Sequence, residues 1–252
     1  MPRERLYEAA LANMRRTVHI LARKVPPPQQ VPHRKSFVFR HLERTPEQAI
    51  VQKLARVATT LAGAHVLMEH GLVQEQGALQ RMLQELHDDV TFLAYAIIYS
   101  DLTRLHQLYL DAFYEEEFDA DTAVGSTQKR PMVKRSKIQA YIANREGSGL
   151  DPSTGIALSR TITKAYSGFV HAASPQIMDM YGGSPAHFHV ESMLGTRRHT
   201  EYRIDLWNYY YRSILSFGIA AKAFGDEELF NQVHEFAIEF ERDANKNYSP
   251  KK

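Results

Sequence analysis

One stretch carries side chains suited to acid–base or phosphate chemistry at helical spacing. Arg81, Glu85, Asp88, Phe92, Tyr95 and Tyr99 share one side of a helical wheel drawn from Gly71 to Ser100, opposite an apolar stripe of Leu72, Leu79, Leu83, Leu86, Val90, Leu93 and Ile97. An Arg four residues before a Glu is commonly a surface pair worth roughly 0.3 kcal/mol. Here the line runs on into three aromatic rings, so this side is expected to be covered too. Arg81 and Glu85 must then be paired, because unpaired buried charge is prohibitive. They read as a polar cluster inside a bundle. A second polar line, Thr163, Ser167 and His171, falls at i, i+4 and i+8, and His171 is expected to reach a carboxylate such as Glu85 across that bundle.

Twelve histidines and no cysteine exclude disulfides, thiolate metal sites and a cysteine nucleophile. A helical di-iron centre needs Glu-x-x-His on each of two helices. Neither His65 with Glu69 nor Glu85 with Asp88 supplies it, so no metal and no cofactor is expected. His187-Phe188-His189 and Arg197-Arg198-His199 gather imidazoles and guanidiniums in one loop, either a phosphate or metal binder or a surface loop of mixed charge. Gln128–Lys137, which includes Lys134 and Arg135, is basic just after the acidic stretch Glu115–Asp121. It is either a phosphate-facing patch or a solvated loop and helix start. Walker loops, nucleophile elbows, His-Glu-x-x-His and dinucleotide fingerprints are absent.

The elements that must position these groups are helices. Leu6, Ala9, Ala10, Met14, Val18 and Leu21 predict an amphipathic helix over Glu4–Lys24, closed by Pro26-Pro27-Pro28. From there to Arg44, with Pro32 as well, the chain reads as a linker or packed arm, so residues 1–44 are expected to sit apart from a bundle over 45–245, with a frayed tail over 246–252. Thr45-Pro46-Glu47-Gln48 is a capping box opening a long helix that Gly71 ends. A second long helix over Val73–Ser100 returns antiparallel because the connection is short. Helices are also predicted over Asp101–Phe118, Met132–Asn144, Ile156–His171, about 200–224 and about 226–244, the last capped by Asp226. Gly147–Gly155 is a break, Pro175–Met180 a short turn, and Gly182–Arg198 a loop. With no convincing period-two strand, the fold class is all-α: an antiparallel helical bundle with an N-terminal helix and a Pro-rich arm.

The composition is that of a globular protein, 44% hydrophobic and 24% charged, and the formal net charge of +2 does not mark a general nucleic-acid binder. The start of the chain lacks the pattern of an export signal, and the apolar run Phe92–Tyr99 is too short to span a bilayer. A cytoplasmic protein with no membrane partner is expected. The aromatic run Trp207, Tyr209, Tyr210 and Tyr211 covers more than one helix face, so neighbouring helices or a second subunit must bury it.

GLVQEQGALQRMLQELHDDVTFLAY (Gly71–Tyr95), followed by YSGFVHAAS (Tyr166–Ser174) and two closing helices, resembles an uncharacterised bacterial helical family grouped with the HEPN superfamily, over roughly residues 46–244. The resemblance matches an Arg and Glu of the central helix to Arg81 and Glu85, and a Ser and His of the later segment to Ser167 and His171. It implies a bundle that binds RNA, a nucleotide or a protein partner and that pairs as a homodimer. As an alternative it implies a metal-independent endoribonuclease, because Arg81-Met-Leu-Gln-Glu-Leu-His87 fits the Arg-x(4–6)-His motif of that superfamily. The imidazole would be general acid or base and the guanidinium would stabilise phosphorane charge. As a second alternative, His87-Asp88 with His65 upstream is similar to the ligand pattern of HD-type phosphohydrolases, in which His and Asp hold a metal that activates water.

Overall fold

Local capping starts and stops the central helical hairpin. The Thr45 hydroxyl accepts from Gln48 N at 3.2 Å and the Gln48 side chain accepts from Thr45 N at 3.2 Å, a closed capping box at the head of α2 (Pro46–Glu69). Gly71 follows at φ +70°, where a side chain would be strained and its Cβ would strike Ser192 and Leu194. The chain then returns as α3 (Val73–Ile98), which packs along α2. The structure, a computed structural model, describes residues 3–33, 35–116, 120, 122, 124–126, 132–145 and 164–246.

Around this hairpin the remaining helices close a single core. In chain order they are α1 (Arg3–Ala22), α4 (Arg104–Tyr114), α5 (Arg135–Ala143), α6 (164–170), α7 (Ser174–Met178), α8 (Arg197–Ala223) and α9 (Glu227–Asp243). α8 lies against both α2 and α3, and α9 lies against α8. The fold is an all-α antiparallel helical bundle, and no helix among the described residues is long and apolar enough to cross a membrane. The aromatic run on α8 is buried within the one chain: Trp207 stacks between Tyr211 (5.1 Å) and Phe240 (5.2 Å), and Tyr210 stacks on Tyr7 at 4.1 Å.

Two expectations change. α1 does not sit apart, because Leu6, Tyr7, Ala10, Met14 and Leu21 are buried in the common core, and Lys24 just beyond its end pairs with Asp226 at the head of α9 (2.9 Å). The arm, moreover, is not merely extended: β1 (Gln29–His33) and β2 (Ser36–Arg40) form an antiparallel hairpin with Val31 opposite Val38 and Pro32 opposite Phe37. A two-stranded ribbon consists of edges only, so the missing N–H of Pro32 is tolerated there. A second, very short hairpin joins β3 (Tyr181–Gly182) to β4 (His187–Phe188) inside the expected loop. The break over 147–155, the first half of the helix expected over 156–171, much of the acidic and basic stretches and the tail beyond Lys246 lie outside the described residues.

Candidate functional site

α3 carries two polar sites on opposite sides of one turn. On the first, Arg81 pairs with Glu85 at 2.6 Å, as the i, i+4 spacing predicts. Arg135, from the first turn of α5, reaches Glu85 at 3.6 Å and also holds Asp89. Lys53 of α2 closes on the other Asp89 oxygen at 2.7 Å, with its ammonium 4.6 Å from the centre of the Phe113 ring. The Asp89 side chain is only 6% exposed. Burial alone would raise its pKa, but the Lys53 and Arg135 charges outweigh that and hold it low. Its neighbour Asp88 behaves oppositely. Burial pushes its pKa up, because the groups bonded to it are amides: Gln84 donates at 2.9 Å and Gln139 at 3.4 Å.

The second site faces α8 and α9. A cavity of about 440 Å³ opens between the three helices, walled by His87, Thr91 and Tyr95 of α3 and Tyr99 at its C-terminal cap, Gly218 and Lys222 of α8, and Phe230 and His234 of α9, with aliphatic side chains filling the gaps. Its volume suits a small organic ligand. No Asp or Glu among the described residues lines it, and Lys222 is exposed at the wall, so its charge favours an anion. The His234 ring lies parallel to Phe230 at 5.9 Å. Thr91 Oγ1 is buried and has no hydrogen-bond partner among the described residues.

The tautomer of His87 follows from its partner. The Ser216 hydroxyl donates to the Arg212 carbonyl at 3.1 Å, which spends its single proton, so at the 2.7 Å contact it is His87 Nδ1–H that donates to Ser216 Oγ. Nε2 then keeps a lone pair. Burial, helped by the nearby Arg212 charge, lowers the His87 pKa to about 4, so the ring is neutral at pH 7. The Arg212 guanidinium in turn donates to Gln84, whose amide donates to Asp88. Joined through the main chain and side chain of Arg212, these hydrogen bonds run from the cavity wall to Asp88, next in the chain to Asp89 of the ion cluster.

The expected site residues are thus sorted among different places. Arg81 and Glu85 belong to the ion cluster and His87 to the cavity wall on another face of α3, so one protomer does not bring Arg81 and His87 together. Their six-residue spacing puts them about 120° apart on the wheel, too far round for one reaction centre. The adjacent His87 and Asp88 also diverge, and His65 pairs with the Tyr210 hydroxyl at 3.0 Å, which disperses the HD-like set. No group of three or more His, Cys, Asp or Glu among the described residues could hold a metal ion.

His171 does not reach Glu85. It is exposed just beyond α6 and, like the half-buried Ser167, makes no side-chain hydrogen bond or ion pair with a described residue. α6 is held elsewhere: Tyr166 bonds Asp205, and Phe169 packs on the face of Gly77, where a Cβ would come within 2.6 Å of the ring. Arg197 and Arg198 pair with Glu201, and Arg198 also with Asp179 at 2.9 Å, all near the surface. Lys134 is exposed, whereas its neighbour Arg135 turns inward to the cluster.

Sequence reasoning leaves Asp89 solvated or paired without naming its partners, and gives no role to Lys53 in the cluster, to Arg212 and Ser216 in the hydrogen bonds behind His87, or to Thr91, Lys222 and His234 at the cavity. One signal was present for the acids: Asp88-Asp89 sits between Leu86 and Val90, so two carboxylates interrupt a core stripe and must be buried with partners. No family model, curated protein or solved structure matches the chain.

Proposed function

We propose that this chain is a HEPN-like bundle acting as a binding protein, with a nucleotide as ligand in the cavity between α3, α8 and α9, rather than a ribonuclease working through Arg81 and His87. The observation that carries the reading is a cavity with no acid among its described lining residues, in which a neutral imidazole with an available Nε2 (His87) and an exposed ammonium (Lys222) line one space. In this reading a planar base lies against Tyr95, Tyr99 and Phe230, hydrogen-bonds to His87, and leaves its phosphate at Lys222. The long helical hairpin closed by α8 and α9 agrees with the bundle that the HEPN resemblance implies. The separation of Arg81 from His87, and the low basicity of His87, weigh against the catalytic alternative.

Titration calorimetry with adenosine, guanosine, cytidine and uridine and their 5′-phosphates tests this. At least one nucleotide is expected to bind with a Kd at or below roughly 100 μM, about −5.5 kcal/mol. Lys222→Met should weaken the phosphate-bearing form several-fold and leave the nucleoside unchanged, while His87→Leu should weaken both. Absence of binding at millimolar ligand would overturn the reading. Cleavage of labelled RNA in EDTA, lost in a folded Arg81→Ala variant, would replace it with the ribonuclease.

A further inference from the structure

The β1–β2 hairpin brings positive charge and exposed aromatic surface together. Residues 23–44 contain six Lys or Arg against one Glu, a net +5, in a chain whose total is +2, so everything outside this segment is net negative. Lys24 and Arg40 are engaged by Asp226 and Glu116, but Arg23, Lys35 and Arg44 are exposed and form no ion pair with a described residue. Register sorts the side chains. Val31, Val38 and Arg40 share the face on which Arg40 meets Glu116 beyond the end of α4, while Pro32, Phe37, Phe39 and Gln30 share the other. On that other face Phe37 is 49% exposed and Phe39 57% exposed, their rings edge to face at 5.5 Å. Large rings left this open on a two-stranded ribbon contribute nothing to the core.

We infer that the face of the β1–β2 hairpin bearing Phe37 and Phe39 is a binding platform for single-stranded nucleic acid. Each ring offers a π-face to one unstacked base, and side chains at i and i+2 of a strand are spaced along an extended polynucleotide. Arg23, Lys35 and Arg44 supply the positive field for the phosphates. A duplex hides its base faces and can use only the charges. This site is separate from the cavity of the α3–α8–α9 sector, and neither reading depends on the other.

The test is fluorescence anisotropy of the full chain with labelled U12, dT12 and a 12-base-pair RNA duplex at 50 mM salt. Both single strands should bind more tightly than the duplex, and comparison of U12 with dT12 distinguishes RNA from DNA as the preferred source. The Phe37→Ala/Phe39→Ala variant, whose changed side chains lie outside the core, should bind single strands at least about ten-fold more weakly with an unaltered melting curve, and Phe37→Trp/Phe39→Trp should retain binding. Lys35→Ala should lower the slope of log K against log salt by about one. No binding of single strands, or binding that the double alanine variant leaves unchanged, overturns the platform. Lys222→Met, which disables the proposed cavity, is expected to leave U12 binding intact.

Discussion

Asp89→Ala is expected to destabilise the protein by about 3–5 kcal/mol, because it leaves Lys53 and Arg135 facing each other in a largely buried site without their shared counter-charge. Urea denaturation at pH 7 measures it. The same reasoning predicts strong non-additivity. Lys53→Met/Asp89→Leu removes one charge of each sign, and its cost should fall well short of the sum of the two single changes. Asp88 provides the contrast. Its carboxyl faces amide donors and burial raises its pKa, so Asp88→Asn, which keeps one oxygen for Gln84 and turns an NH2 toward the longer Gln139 contact, should cost only about 1 kcal/mol. Two adjacent acids on one helix would thus differ several-fold in consequence. A loss at Asp89 below about 1 kcal/mol would mean that water screens the cluster.

Lowering the pH from 7 to 5 is expected to remove about 3–4 kcal/mol of stability through two histidines. His87 and His106 are both held neutral by burial, each with its pKa lowered to about 4, the His106 ring stacked on Phe92 at 4.0 Å. In the unfolded chain both titrate near 6.5. Between about 6.5 and 4 the unfolded chain therefore takes up protons that the folded chain refuses, so the contribution is whole above about 6.5 and is lost as pH falls through that window. Asp88 works the other way: its raised pKa means that the folded form gains protons first as the solution becomes acid, offsetting part of the loss near pH 4. Chemical denaturation at half-unit intervals gives the curve. His87→Gln should remove about half of its slope between pH 6.5 and 5, and an unchanged slope would place the titration elsewhere.

What could be read from the chain followed how local the determining interaction is. The Thr45–Gln48 box, the stop at Gly71 and the Asp226 cap each depend on residues within four positions, and all three stand where the spacing placed them. The Arg81–Glu85 pair was legible for the same reason. Asp89 was not, since its partners arrive from α2 and α5, and only the packing of three helices brings Lys53 and Arg135 to it. His87 shows a different failure. A motif written as a spacing along the chain places Arg81 and His87 together, whereas a helix carries them to different faces. The hairpin is masked by its own composition: the prolines of the arm disfavour a strand, while Phe37-Val38-Phe39 alternates with period two, two exposed rings about one half-buried valine.

Among the described helices, α3 alone has a middle with no outer side. Every residue from Asp88 to Ala94 is buried, because α2, α5 and α8 all lie against this helix. Main-chain amides in that stretch have no route to solvent through fraying of an end or the lifting of a single neighbour. Their protons are expected to trade with deuterium only when the bundle as a whole comes apart, so the slowest exchange should report global stability and sit on the two turns between the charge cluster and the cavity.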